Sequence, residues 1–311
     1  MRTRGVVVYL AVAYLWTWTC WAVAYVLARN AEWLLPASDR VGEALWTWAR
    51  DGFDGPRHLA AIAIFTAAVY GPVLGAKIAL IVESGPAAPL PLLRRTLHLG
   101  RDPTLVAWVV GLALAVTWLP AWAGTVLFGA EGGRPMAWAT GGAALLGWFL
   151  IVVVHQLLTS GLGEEPGWRG YLMPRLQARM AGDRWVWVLG AAWWAWHLPV
   201  LAIVLGPTLP DGAGPAAITF VVALGGNYLS LVAMSYLYGW LYQRSRSLLL
   251  VMLFHALTNA LPMLAVASAH PTAVLLVGAF PWLVVLAFKR ALGDEAFPGR
   301  LVPVDATAAR S

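Results

Sequence analysis

Three short polar stretches interrupt an otherwise apolar chain, and their residue types are those of acid–base chemistry. In Gly163-Glu164-Glu165-Pro166-Gly167-Trp168-Arg169-Gly170, two carboxylates and a guanidinium follow the apolar run from Ala143 to Leu158. Ionisable groups at a membrane-length segment are costly to bury unless they pair or act. On a helix Glu165 and Arg169 stack on one face with the acid on the N-terminal side, the better order for a pair. Glu164 is turned about 100° away. If Arg169 holds Glu165 ionised, Glu164 is left to take a proton from water. The competing reading is a cytoplasmic helix start with capping acids.

His197 closes the run Trp193-Trp194-Ala195-Trp196-His197 and precedes Leu198-Pro199. It is either an acid–base group or a core histidine serving the carbonyl that Pro199 leaves without a helical donor. His255 and Asn259 share one helical face, so that two donors converge on one point, as a developing oxyanion requires. Alone, they could equally be interhelical hydrogen bonds worth about 1 kcal/mol each.

The elements that must position these groups are membrane spans. The chain has 311 residues, is 60% hydrophobic and only 12% charged, where a soluble chain would be roughly a quarter charged. Its mean hydropathy is +0.70. Apolar runs at 6–27, 58–82, 104–129, 137–162, 185–205, 216–242, 248–266 and 272–288 predict an all-α integral membrane protein of about eight transmembrane helices. The first run is too long and too rich in Trp for a signal peptide. With the N-terminus inside, fifteen Arg and Lys residues, Arg169 among them, fall on inner segments and five on outer ones. Both termini are therefore expected to be cytoplasmic. The net charge of +6 is explained by topology, and no nucleic-acid partner is expected.

Three segments follow: residues 1–136 with transmembrane helices 1–3 and an outer loop at 28–57, a core at 137–266 with helices 4–7, and 267–311 with the last helix and a short cytoplasmic tail. Val41, Leu45, Trp46 and Trp48 predict a short helix on the outer surface. Trp33, Trp46, Trp48, Trp138 and Trp185 lie near span ends and read as an interfacial belt. The single Cys20 excludes a disulfide framework. His155 reads as an interhelical hydrogen-bonding residue, and His58, His98 and His270 as solvated. At 1.5 Å per residue His255 lies about 10 Å and His197 about 18 Å from the inner face. A polar cavity open to the cytoplasmic side is expected.

Glu164 to Leu172, continued by Pro174-Arg175-Leu176-Gln177, resembles the first motif, EExxxR, of the CPBP intramembrane proteases. This group, also called the Abi family, contains type II CAAX prenyl endopeptidases and bacteriocin-processing and immunity proteins. Trp193 to His197 resembles the second motif, usually FxxxH, with Trp for Phe; His255 to Asn259 resembles the third, HxxxN. The similarity covers about 140–262.

The resemblance implies an intramembrane endopeptidase with Glu164 as general base activating water together with His197. It implies that His255 and Asn259 steady the oxyanion and that Glu165 and Arg169 support the site. No cofactor is expected, although Glu164, His197 and His255 would be the His₂Glu set if the enzyme were a zinc metalloprotease. The implied partners are the lipid bilayer and a membrane-associated peptide or protein, either prenylated and CAAX-like or a leader peptide. A catalytically idle scaffold or immunity protein is the alternative function. The expected location is a cell membrane, and the excess of Arg over Lys suggests a bacterial source.

Overall fold

The computed structural model describes residues 3–29, 31, 33, 35–36, 41–100, 103–129, 142–206, 211–264 and 271–293; His270 and Trp138 lie outside them. All regular structure among the described residues is helical. Helix α1 is Thr3–Ala28, followed by α2 (Val41–Asp51), α3 (Gly55–Ala68), α4 (Gly71–Ser84) and α5 (Leu90–Leu97). Helix α6 runs over Thr104–Phe128. Helix α7 starts with Gly142–Gln156 and continues without a break to Met173–Gln177. Then come α8 (Arg184–Leu205), α9 (Ala213–Ser245), α10 (Leu248–Ala260) and α11 (Pro271–Leu292).

Helices α1, α6, α7, α8 and α9 are each long and apolar enough to cross a bilayer. The pair α3 and α4, bent by 52°, passes the same test together, and α10 is a shorter apolar helix. Leu15, Trp16, Val23 and Val26 of α1 face outward, so this helix is apolar all round, as a span in lipid must be. The short helix predicted around Val41 is α2, which buries Val41, Gly42 and Ala44 and is held against α7 by the Trp148 indole N–H donating to Gly42 O at 3.3 Å.

With no hydrophobic drive between helices in lipid, close approach of small residues does the packing. A Cβ on Gly163 would lie 2.4 Å from Val69 O, and one on Gly167 would lie 2.5 Å from Pro72 O. The elbow between α3 and α4 is thus seated directly on the glycines flanking the two glutamates. Gly167→Ala is expected to destabilise by about 1–3 kcal/mol, because the obstructing atoms are backbone. Thermal unfolding in detergent, compared with Gly147→Ala where the added Cβ meets nothing, checks this.

Two expectations are corrected here. Glu164 does not end a span, and Arg169 does not belong to an inner loop. Both are buried within α7, which has π-helical stretches at Leu157–Gly161, before Glu164, and at Pro166–Leu172, around Arg169, and continues to Gln177. Pro166 lacks an N–H, and wider turns accommodate such a local break without ending the helix. Trp185 is fully buried rather than interfacial, its ring lying over Gly239.

One end of the bundle carries most of the described basic residues. Arg94 and Arg95 occupy the last turn of amphipathic α5, Arg244 the last turn of α9, and Lys289 the last turn of α11. That end is tied together by Arg175–Glu83 at 2.5 Å, Lys289–Asp183 at 2.8 Å and a hydrogen bond from Ser247 Oγ to His98 O.

Asp183, in the turn before α8, is held below the ordinary carboxylate range by hydrogen bonds from Lys289 and then Tyr236. A lowered folded-state value stabilises above the unfolded value and is lost as pH falls through the folded one. Asp183→Asn is therefore expected to lower the unfolding temperature slightly at neutral pH. The gap to wild type closes only in strong acid, which thermal scans across pH would read.

Candidate active site

Glu165 is the hub of the buried charge cluster. Its Oε1 accepts from Arg169 Nη1 at 3.0 Å and from His255 Nδ1 at 2.7 Å, with both Glu165 and Arg169 0% exposed. A guanidinium in such a place needs more than one partner. The Arg169 Cζ sits 4.2 Å from the Trp193 ring centroid and 4.1 Å from that of Tyr238, a cation–π sandwich that substitutes for water. The i,i+4 spacing produces the pair as expected.

Glu164, on the adjacent helical position, points elsewhere. Its Oε2 accepts from the Trp193 indole N–H at 2.8 Å. Its Oε1 lies 3.9 Å from His255 Nε2, too far for a direct hydrogen bond and suited to a bridging water. Because His255 Nδ1 is engaged by Glu165, Nε2 is the ring nitrogen turned toward Glu164.

His197 is held differently. Its Nδ1 bonds Trp193 O at 2.8 Å. A carbonyl only accepts, so Nδ1 carries the proton and Nε2 is bare. The carbonyl taken is that of Trp193, not that of Ala195, which Pro199 leaves without its donor. Trp193, one turn nearer the basic end of α8, is the residue of that helix that bonds Glu164. Its ring stands 5.7 Å from the His197 ring and 6.0 Å from the His255 ring, centroid to centroid.

Asn259, one turn beyond His255, donates through Nδ2 to Gln156 Oε1 at 3.1 Å. Glu164, His197, His255 and Asn259 all line one cavity of about 390 Å³, with Gln156, Trp193, Tyr238 and Thr258 in the same wall. Glu164, Glu165, Arg169 and His255 form a connected cluster, of which Glu164 and His255 line the cavity, while His197 joins through Trp193 and Asn259 pairs with Gln156.

Those two linking residues escaped the sequence reading. Gln156 is a lone amide in an apolar run, two turns before Glu164, and that spacing was its signal. Trp193 was absorbed into motif packing. His155, read as a hydrogen-bonding residue, lines the cavity with a buried Nδ1 that has no hydrogen-bond partner among the described residues. His58 is buried rather than solvated; it stacks on Trp33 at 4.7 Å and accepts from the Asp54 N–H at 3.0 Å.

A zinc ion needs three or four ligands converging on one point. Among the described residues no three His, Cys, Asp or Glu side chains are so arranged. Glu164, His197 and His255 as they stand therefore do not make up a three-ligand zinc set.

The cavity also departs from expectation in its direction. It extends from Glu164 away from the basic end, toward Pro36 and Val41, rather than toward the cytoplasmic side assigned by the arginine count. Trp168, Tyr171, Leu241, Leu250 and Phe254 are buried on the basic side of the cluster and fill that space with side chains.

A helical membrane protein with carboxylates and imidazoles gathered around a buried cavity has the makings of an intramembrane hydrolase. Residues 146–261 match the family described as type II CAAX prenyl endopeptidase Rce1-like, which supports a place for this chain in the CPBP family of CAAX proteases. A search of curated proteins finds no match to the chain. The matched family is one of membrane proteases, so a bilayer and a membrane-associated substrate come with it.

Proposed function

We propose that this protein is an intramembrane endopeptidase that hydrolyses a peptide bond with water activated at Glu164. The observation that carries the reading is the 3.9 Å gap between Glu164 Oε1 and His255 Nε2, inside a cavity that three separate motifs line. A water in that gap gives its proton to Glu164, and its oxygen attacks the peptide carbonyl carbon. The carbonyl oxygen takes up the negative charge and accepts from Asn259 Nδ2–H and, in the imidazolium form, from His255 Nε2–H. Glu164 then returns the proton to the amine nitrogen as the carbon–nitrogen bond breaks. His197, with Nε2 bare, shares the proton traffic with Glu164. Glu165 and Arg169 touch no reacting atom; they orient His255 through Nδ1.

In this reading residues 137–266 form the catalytic core, flanked by 1–136 and 267–311, in a fold of eight spans with both ends cytoplasmic in a cell membrane. Gln156 fixes the Asn259 amide so that its second N–H faces the cavity. Gln156→Met is expected to lower kcat by roughly ten- to a hundred-fold with little change in KM, as for a misaimed oxyanion donor. Steady-state kinetics of that variant read the split.

The reading is tested on purified protein with membrane-presented and prenylated peptides, beside Glu164→Ala and His255→Ala. Cleavage lost in both supports it. Unchanged cellular function in both variants at normal expression would favour the idle scaffold. Chelator treatment is expected to leave cleavage intact, and inhibition that zinc reverses would overturn the metal-free route.

A further inference from the structure

Trp193 on α8 meets the site in several ways, and only one of them needs an indole. The Arg169 Cζ lies over its ring, 4.2 Å from the centroid, and the His255 ring stands at 74° to it with centroids 6.0 Å apart. Its backbone carbonyl accepts from His197 Nδ1 at 2.8 Å. A phenyl ring in the same place would keep the ring contacts, and any residue would keep the carbonyl. The hydrogen bond from the indole N–H to Glu164 Oε2 at 2.8 Å needs the nitrogen. Both residues are 3% exposed, so this bond is made away from bulk solvent. The last torsion of a glutamate is broad, and its two oxygens exchange places easily unless one is held. With Oε2 held by the indole, Oε1 is the oxygen that faces His255 Nε2 across 3.9 Å.

We propose that Trp193 is a positioning residue: its indole N–H fixes the Glu164 carboxylate so that Oε1 alone meets the reacting water, while its carbonyl holds His197 with Nε2 bare. That the water reacts rests on the peptidase reading; that the carboxylate is fixed does not. Trp193 itself touches no reacting atom. Its side chain and its own carbonyl tie the carboxylate of α7 to the imidazole of α8, so the two groups keep one orientation relative to each other.

Trp193→Phe removes the donor and keeps an aromatic ring beside Arg169. It is expected to lower kcat by roughly ten- to a hundred-fold with KM near wild type, as when a group that orients a reacting residue is lost. Trp18→Phe on α1 is the control. It removes another indole hydrogen bond to α8, the one to Trp196 O at 3.0 Å, which does not involve Glu164. Trp18→Phe is expected to keep kcat even where its unfolding temperature falls as far as that of Trp193→Phe. Wild-type kcat in Trp193→Phe, or equal losses of kcat in the two variants, would overturn the proposal. A second readout needs no cleavage. Infrared difference spectra against Glu164→Gln isolate the band of this one carboxyl group, whose frequency follows the hydrogen bonds that its oxygens accept. Trp193→Phe is expected to shift that band and Trp18→Phe to leave it in place. An unmoved band in Trp193→Phe would overturn the proposal. No cleavage by wild type, with the band still shifted in Trp193→Phe, would sink the peptidase reading and leave the fixed carboxylate standing.

Discussion

Arg169→Met is expected to destabilise the protein by about 3–5 kcal/mol, because it strands the Glu165 carboxylate in a fully buried site. The guanidinium is held by Glu165 on one side and by the Trp193 and Tyr238 rings on its faces, so its loss also unseats the residue that bonds Glu164. Adding Glu165→Gln removes the stranded charge and is expected to restore part of that loss, the signature of a coupled pair. Activity does not return in the double variant, since His255 Nδ1 loses its anionic partner. Reversible unfolding in mixed micelles measures the cycle. A loss within about 0.5 kcal/mol for Arg169→Met would place the pair at the surface and contradict the buried cluster.

The second large effect is kinetic. Glu164→Gln keeps the side-chain shape and an oxygen for the Trp193 indole but cannot take a proton from water. Loss of general-base catalysis at this position is expected to lower kcat by a factor of roughly 10²–10⁴, with KM and unfolding temperature near wild type. Arg169→Met instead loses activity and stability together. This difference separates the residue that meets the reacting water from one that holds the site in place.

Much of the architecture could be read from composition alone. At 12% charge, long apolar runs leave little choice but membrane helices, and the rare polar residues stand out against them. Glu164, His197, His255 and Asn259 were conspicuous for that reason, and they line the cavity because a bundle in lipid turns its polar side chains inward. The helical register of Glu165 and Arg169 followed from their spacing alone.

Other features depend on partners distant in sequence. Pro166 beside two acids looks like a helix start. Only the paired charges and the aromatic rings of α8 and α9 let α7 carry them through its interior. Many of the Trp residues resemble an interfacial belt, and nothing local tells Trp193, a donor to Glu164, or the fully buried Trp185 from the rest. The cavity lies away from the basic end because the side chains around Phe254 and Tyr171 pack together, a property of assembled helices that no periodicity carries.

The central claim, hydrolysis inside the membrane through Glu164, is tested most directly in proteoliposomes. Wild type and Glu164→Gln are reconstituted with a panel of transmembrane and prenylated peptides under chelating conditions, and the products are weighed by mass spectrometry. The account predicts a single internal cut, with water added across the bond, for wild type and only background for the variant. Equal cutting by both proteins, or cutting that depends on added metal, would contradict it.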